Sequence, residues 1–191
     1  MTAKHKTKGF IALKYMLGIV SALVLSVAPL LALEIGNGVT IFNKSPRLVD
    51  VATTLSSIRV RGANYYFTLE LPENVGEPLQ KLTIQQSQGP DTIYFYLEET
   101  FAFEGKPINR GENLTVAEVK RNLDNNKITI NFEPPIPPGK TFSIGLKPQK
   151  NPQIAGNYQF GITAYPVGKK AQGLYLGPGR LRFYPHSDRF P

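Results

Sequence analysis

The stretch GNYQFGITAYP, residues 156–166, decides the fold. Tyr158, Phe160, Ile162 and Ala164 fall on one side of an extended chain, and Gln159, Gly161, Thr163 and Tyr165 on the other. A strict period of two predicts a strand with one buried face. Tyr158 shares parity with the apolar residues, so its ring is expected in the core, where it speaks for fold and not for binding. Any binding by this strand falls to its other face.

The same alternation recurs along the chain. In SIRVR (57–61), Ile58 and Val60 oppose Arg59 and Arg61; in YYFTLEL (65–71), Tyr65, Phe67, Leu69 and Leu71 oppose Tyr66, Thr68 and Glu70. In TIYFYL (92–97), Ile93, Phe95 and Leu97 point inward and Tyr94 and Tyr96 outward, and KITINF and TFSIGL repeat the pattern. Between these runs PENVGEP (72–78), SQGPD (87–91), LDNN (123–126), PPIPPG (134–139), KNPQIAG (150–156) and LGPGR (176–180) read as turns. Gly and Asn accept positive φ there, and Pro lacks a ladder donor. About eight strands at roughly ten-residue spacing predict an all-β protein, an antiparallel β-sandwich. Two hairpins are expected, one joining Leu79–Gln86 to Thr92–Leu97 and one joining Val116–Arg121 to Lys127–Phe132. Residues 112–122 also allow a helical face through Leu114 and Glu118, but the turn after Leu123 favours strand.

The N-terminus has another character. Lys4, Lys6, Lys8 and Lys14 precede an apolar run from Tyr15 to Leu33, the layout of a secretory signal. Ala32 is the expected last residue of that signal. Leu30 stands where a small residue is wanted, and the run approaches the length that spans a bilayer, so an uncleaved anchor is the alternative. Residues 1–33 are thus a signal or anchor, 34–184 one sandwich domain and 185–191 a C-terminal tail. Either way the domain is expected outside the cytoplasm, in periplasm, outer envelope or medium, with membrane contact only through the N-terminal segment.

The formal charge of +8 is partly that of the signal. Residues 34–133 hold ten Lys or Arg against thirteen Asp or Glu, whereas 134–191 hold eight against Asp188 alone. A basic C-terminal third suits an anionic polymer, and export makes nucleic acid an unexpected partner. With no cysteine, stability rests on the apolar core.

No cofactor or metal site is expected. Past the signal only His186 remains among Cys, His and Met, in the tail, and borderline metals want such donors. Glu98 and Glu99 lack the loop of a calcium site, and no serine-hydrolase elbow, phosphate loop or dinucleotide fingerprint appears. A glycosidase needs only two carboxyls at a set separation, so a carboxylate-dependent carbohydrate-active enzyme is the runner-up to a non-catalytic module. The candidate binding residues lie on the surface. Tyr66, Tyr94 and Tyr96 are outward rings able to stack on sugar or anchor a partner, unless they pack between cross-strand neighbours. Arg59 and Arg61 on one strand and Arg180 and Arg182 on the last form a candidate anion-binding stripe, unless they only guard strand edges.

RVRGANYYFTLELPENVGEPLQKLTIQQ (59–86), NPQIAGNYQFGITAYPVG (151–168) and GPGRLRFY (177–184) together resemble a family of exported cyanobacterial proteins classed as domain of unknown function 2808. The resemblance runs from about Pro46 to Tyr184 and implies export, a single β-rich domain and a photosynthetic bacterial source; it brings no activity or ligand. The spacing Gly156, Tyr158, Phe160, Ile162, Ala164 is similar to the late strand of immunoglobulin-like sandwiches, which implies that the Tyr158 hydroxyl bonds backbone upstream at a corner. The expectation is an exported, immunoglobulin-like, non-catalytic module that binds an envelope polysaccharide or protein. A structural envelope component held by its N-terminal anchor is a further alternative.

Overall fold

A computed structural model describes residues 1–2, 34–35 and 38–185, with backbone alone for Glu34 and Ile35. The expected signal, its cleavage after Ala32 and all of the tail beyond Pro185 lie outside the described residues. The strands are β1 (Glu34–Ile35), β2 (Val39–Thr40), β3 (Arg47–Thr53), β4 (Tyr65–Glu70), β5 (Leu79–Gln88), β6 (Phe95–Lys106) and β7 (Asn109–Leu114). They continue as β8 (Val116–Arg121), β9 (Lys127–Ile136), β10 (Thr141–Pro148), β11 (Gly156–Pro166), β12 (Lys170–Ala171) and β13 (Leu174–Phe183). No helix occurs among the described residues.

Ten strands form two antiparallel sheets of five, in the orders β3-β4-β10-β6-β7 (sheet I) and β13-β11-β5-β9-β8 (sheet II). β1, β2 and β12 form a small third sheet. The molecule is an antiparallel β-sandwich, open at its edges. Alternate residues of both sheets meet in one core: Tyr65, Phe67 and Leu69 of β4 and Phe142, Ile144 and Leu146 of β10 face Leu82 and Ile84 of β5 and Tyr158, Phe160 and Ile162 of β11. Each fully buried side chain of this size contributes about 1.5–3 kcal/mol. Edge-to-face ring pairs, such as Phe67 on Phe160 with centroids 5.6 Å apart, add shape specificity.

The hairpin of β8 and β9 and the strand at 116–121 are as the sequence predicts. The other expected hairpin is not formed. β5 is paired along both edges, to β9 and β11, and SQGPD carries the chain from sheet II to β6 in sheet I. The Gln86 side chain supports this crossing by donating to the Asp91 carbonyl (2.7 Å) and accepting from the Ile93 amide (2.9 Å).

SIRVR is not a strand. Apart from a bridge between Ser57 and Tyr184 it is a turn, with Arg59 at φ 63°. Its backbone N–H groups go to the carbonyls of Tyr184 (from Ile58, 2.9 Å) and Pro152 (from Arg59, 3.0 Å), and buried Asn151 donates from its side-chain amide to the carbonyls of Leu55 and Ser57 (both 2.8 Å) and from its N–H to that of Val60 (2.8 Å). Two strands run through segments that read as turns: β9 continues to Ile136, and β13 crosses LGPGR. β3 has no counterpart among the expected strands.

Candidate functional site

Five residues of β11 point outward, and register extends them into rows across sheet II. Thr163 lies between Tyr175 of β13 and Thr83 of β5, and the row goes on through Thr129 of β9 to Lys120 of β8. Gly161 lies between Pro178 and Gln85, which pairs with Lys127. Gln159 joins Arg180 to Gln88, and Asn157 pairs with Arg182. These rows contain hydroxyls, amides, one ring and cations, and no carboxylate.

A further row, Tyr165–Lys81–Asn131–Glu118, ends on an acid. Glu118 is already engaged by Lys120 Nζ at 2.6 Å and by the Asn131 amide at 3.2 Å. The hydrogen bond from Lys120, above all, holds this carboxyl below the usual range. Among the described residues Arg180, Arg182 and Lys127 have no carboxylate partner.

Sheet I differs. Arg47 pairs with Glu70 (2.7 Å), Lys140 with Glu104 (2.7 Å) and Lys147 with Glu99. Lys106 and Arg110 of sheet I have no carboxylate partner, but the strands of that sheet carry six Asp or Glu against four Lys or Arg, whereas those of sheet II carry six Lys or Arg against Glu118 and Glu133, so the unbalanced positive charge of the sandwich lies on sheet II. The outer face of that sheet combines directional donors and acceptors with field, which is what an anionic, hydroxyl-rich chain requires.

The sequence-derived candidates separate in the structure. Arg180 and Arg182 stand on the outer face of β13, Arg182 stacking on the Tyr184 ring at 5.2 Å. Arg59 and Arg61 share no strand with each other or with that pair. They lie in the β3–β4 loop, where Arg59 Nε donates to the Gln153 carbonyl at 3.3 Å. The expected strand-borne stripe of four arginines is therefore corrected to two.

Tyr66 is 4 % exposed and offers no surface. It does point away from the core, but Phe101 and Phe103 pack edge-on to its ring, and Arg110 lies over all three rings at 5.3, 5.7 and 4.7 Å and donates to its hydroxyl. Tyr94 is exposed at the loop end beneath Arg121 (5.3 Å), and half-buried Tyr96 pairs with Lys147 on sheet I.

Tyr158 is buried and holds the loop end. Its hydroxyl donates to the Asp91 carboxylate with the Ile154 carbonyl 2.7 Å away, and the other Asp91 oxygen accepts from the backbone N–H of Gln153 at 2.8 Å. Burial first, then Asp91, raises the Tyr158 phenol above its ordinary pKa. Gly156 opens the strand at φ 156°, with Pro90 against it. Asp91, Thr92, Tyr94 and Asn151 line a shallow pocket here whose polar groups are largely occupied by one another.

Sequence reasoning missed Tyr175, 59 % exposed on the basic face. A signal was available, since Gly161 is the one outward position of β11 without a side chain. Among the described residues no group of three or more His, Cys, Asp or Glu is placed to hold a metal.

Comparison with curated proteins gives no match. Solved structures that are similar include the collagen-binding domain of a Staphylococcus aureus adhesin, at 11 % identity and TM-score 0.35 over 69 % of this chain and 99 % of that one. Another is the C-terminal domain of the Streptococcus agalactiae AgI/II polypeptide BspA, at 13 % identity and TM-score 0.42 over 72 % of this chain and 48 % of that one. A Parabacteroides merdae protein of the DUF4466 family aligns at 12 % identity and TM-score 0.39, over 70 % and 45 %. The family-level match covers the sandwich from β2 through β13: residues 39–183 fit the model described as Protein of unknown function (DUF2808), and the chain belongs to that family.

Proposed function

We propose that this protein is an exported, non-catalytic binding module of the cell envelope or secreted fraction, and that it binds an acidic envelope polysaccharide on the outer face of sheet II. The observation that carries the reading is the charge of that face: Arg180, Arg182 and Lys127 stand without carboxylate partners on a polar sheet whose strands hold more Lys and Arg than acids, while the strands of sheet I hold more acids than Lys and Arg. The lysine-flanked apolar N-terminus supports export.

Retention of the domain on an immobilised acidic polysaccharide tests it. Arg180→Ala with Arg182→Ala is expected to weaken retention about fivefold or more at low salt, from roughly 1 kcal/mol per exposed charge contact. The loss shrinks at high salt, where exposed charges are screened. Unchanged retention of the double variant at low salt refutes the assignment of the face.

A further inference from the structure

Tyr175 stands on the outer face of β13, beside Thr163 of β11. It is 59 % exposed, and no ring or cation of the described residues stacks on it. Yet its position is built. Between Tyr175 and Gly177 the register of β13 against β11 shifts by one residue, and Leu176 of the bulge packs against the core. Gly177 completes the bulge at φ 103°, a conformation that favours glycine. Bulges of this kind re-aim a neighbouring side chain, and here Tyr175 is turned onto the sheet.

The ring then occupies the place of an absent side chain. A Cβ at Gly161 would lie 3.1 Å from Tyr175 Cε2, 3.5 Å from its hydroxyl oxygen and 3.7 Å from Cζ. The ring tip thus reaches from the threonine row toward the row of Arg180 and Gln159. Outward positions along a strand are about 7 Å apart, so a group lying on the ring is within reach of the Arg180 side chain. Tyr165 offers no such platform: Lys81 Nζ caps its ring at 4.1 Å, and Gly173 lies against its edge.

We propose that Tyr175 is a stacking platform for a sugar ring of an acidic polysaccharide, with Arg180 receiving the acidic substituent and Thr163 and Gln159 meeting hydroxyls. A flat tyrosine face takes the C–H side of a pyranose, and the neighbouring threonine and glutamine both donate and accept. Arg provides the fork that fits a carboxylate or sulfate. The assignment rests on the reading of the basic face given above and goes beyond it in naming a ring-stacking subsite that electrostatics alone does not require.

The test is equilibrium binding of the domain to alginate, a polyuronate, to dextran sulfate and to neutral dextran, at low and high salt, with folding of each variant checked by thermal melts. Tyr175→Ala is expected to weaken binding to the acidic polymers about tenfold, by the same factor at both salt concentrations because stacking is not screened. Tyr175→Phe keeps binding within about twofold. Gly161→Val, which fills the slot and displaces the ring while leaving Tyr175 in place, loses as much as Tyr175→Ala. A wild-type domain that binds with Tyr175→Ala unaffected overturns the stacking role and leaves the basic-face reading standing. Absence of wild-type binding to either acidic polymer overturns both, as does Tyr175-dependent capture of an envelope protein without polysaccharide binding. Neutral dextran bound as tightly as alginate overturns the acidic class. Preference for dextran sulfate over alginate, or the reverse, assigns the substituent as sulfate or carboxylate.

Discussion

Removing one oxygen, in Tyr158→Phe, tests the account of the loop end. The hydroxyl's single proton goes to the Asp91 carboxylate, with the Ile154 carbonyl 2.7 Å away, while the ring stays packed edge-on to Phe183 at 5.5 Å. The one bond lost is to a charged acceptor, worth about 1.5–3 kcal/mol, and its loss leaves that Asp91 oxygen short of a partner. Burying phenylalanine avoids the cost of desolvating the hydroxyl, so the net loss is set at about 2–3 kcal/mol. For a chain of this size that lowers the Tm by roughly 4–10 °C. Urea unfolding followed by far-UV circular dichroism measures it, since the chain has no tryptophan. A cycle with Asp91→Ala isolates the pair and should give a coupling near 1.5 kcal/mol. A Tyr158→Phe loss below about 0.5 kcal/mol, or a coupling indistinguishable from zero, refutes the claim that this bond fastens the β5–β6 and β10–β11 loops together.

Two further outcomes follow from the same packing. Burial, ahead of the charges of Tyr158 and Asp91, raises the Tyr65 phenol, and burial and Asp91 raise that of Tyr158, so the folded protein holds both protons more tightly than the unfolded chain. That stability is complete below about pH 10 and is lost as pH rises beyond it; urea midpoints between pH 8 and 11 should fall, and a Tyr65→Phe variant with the same alkaline slope as wild type would contradict the assignment. Arg110→Ala uncovers Tyr66 and Phe103 and removes the cation from three rings, at a cost of about 1–2 kcal/mol; an unchanged urea midpoint would show that the β6–β7 hairpin needs no such lid.

The inner face of the sandwich was legible because alternation states parity, and parity at Tyr158, Phe67 and Ile144 is what the core uses. Partner choice was not legible. β5 and the start of β6 both alternate, but whether they pair depends on β9 and β11, distant in sequence, saturating β5 first. β3 escaped because a bulge between Leu48 and Asp50 puts Leu48 and Val51 on the same face three residues apart, which breaks the period. SIRVR misled in the opposite way: its alternation is real, but Asn151, Pro152 and Tyr184, about a hundred residues on or more, take the backbone bonds that a neighbouring strand would need. For Tyr66 the side was right and the cover was invisible, since the Arg110 side chain reaches from edge strand β7 across Phe103 and Phe101 to a ring two strands further on. Tyr175 was lost inside a segment that its glycines and proline made into a turn, when they serve a bulge.

The charges on sheet II separate protection from recognition. Arg180 and Arg182 lie on β13, an edge strand, where outward charge alone would discourage pairing with another chain. That edge is already guarded by Pro178 and the bulge at Leu176. Lys81 and Lys127 stand on β5 and β9, whose edges are both paired, so no edge exists there to protect. Edge protection therefore accounts for two of these cations at most, and it does not explain why sheet II carries only Glu118 and Glu133 against its six Lys and Arg. Rigidity points the same way. The face is borne by strands whose crossing loops are fastened by Gln86, Asp91 and Asn151, so its rows keep their spacing without a ligand. A preorganised, uniformly spaced face with one open ring suits a repeating polymer that presents the same groups at regular intervals.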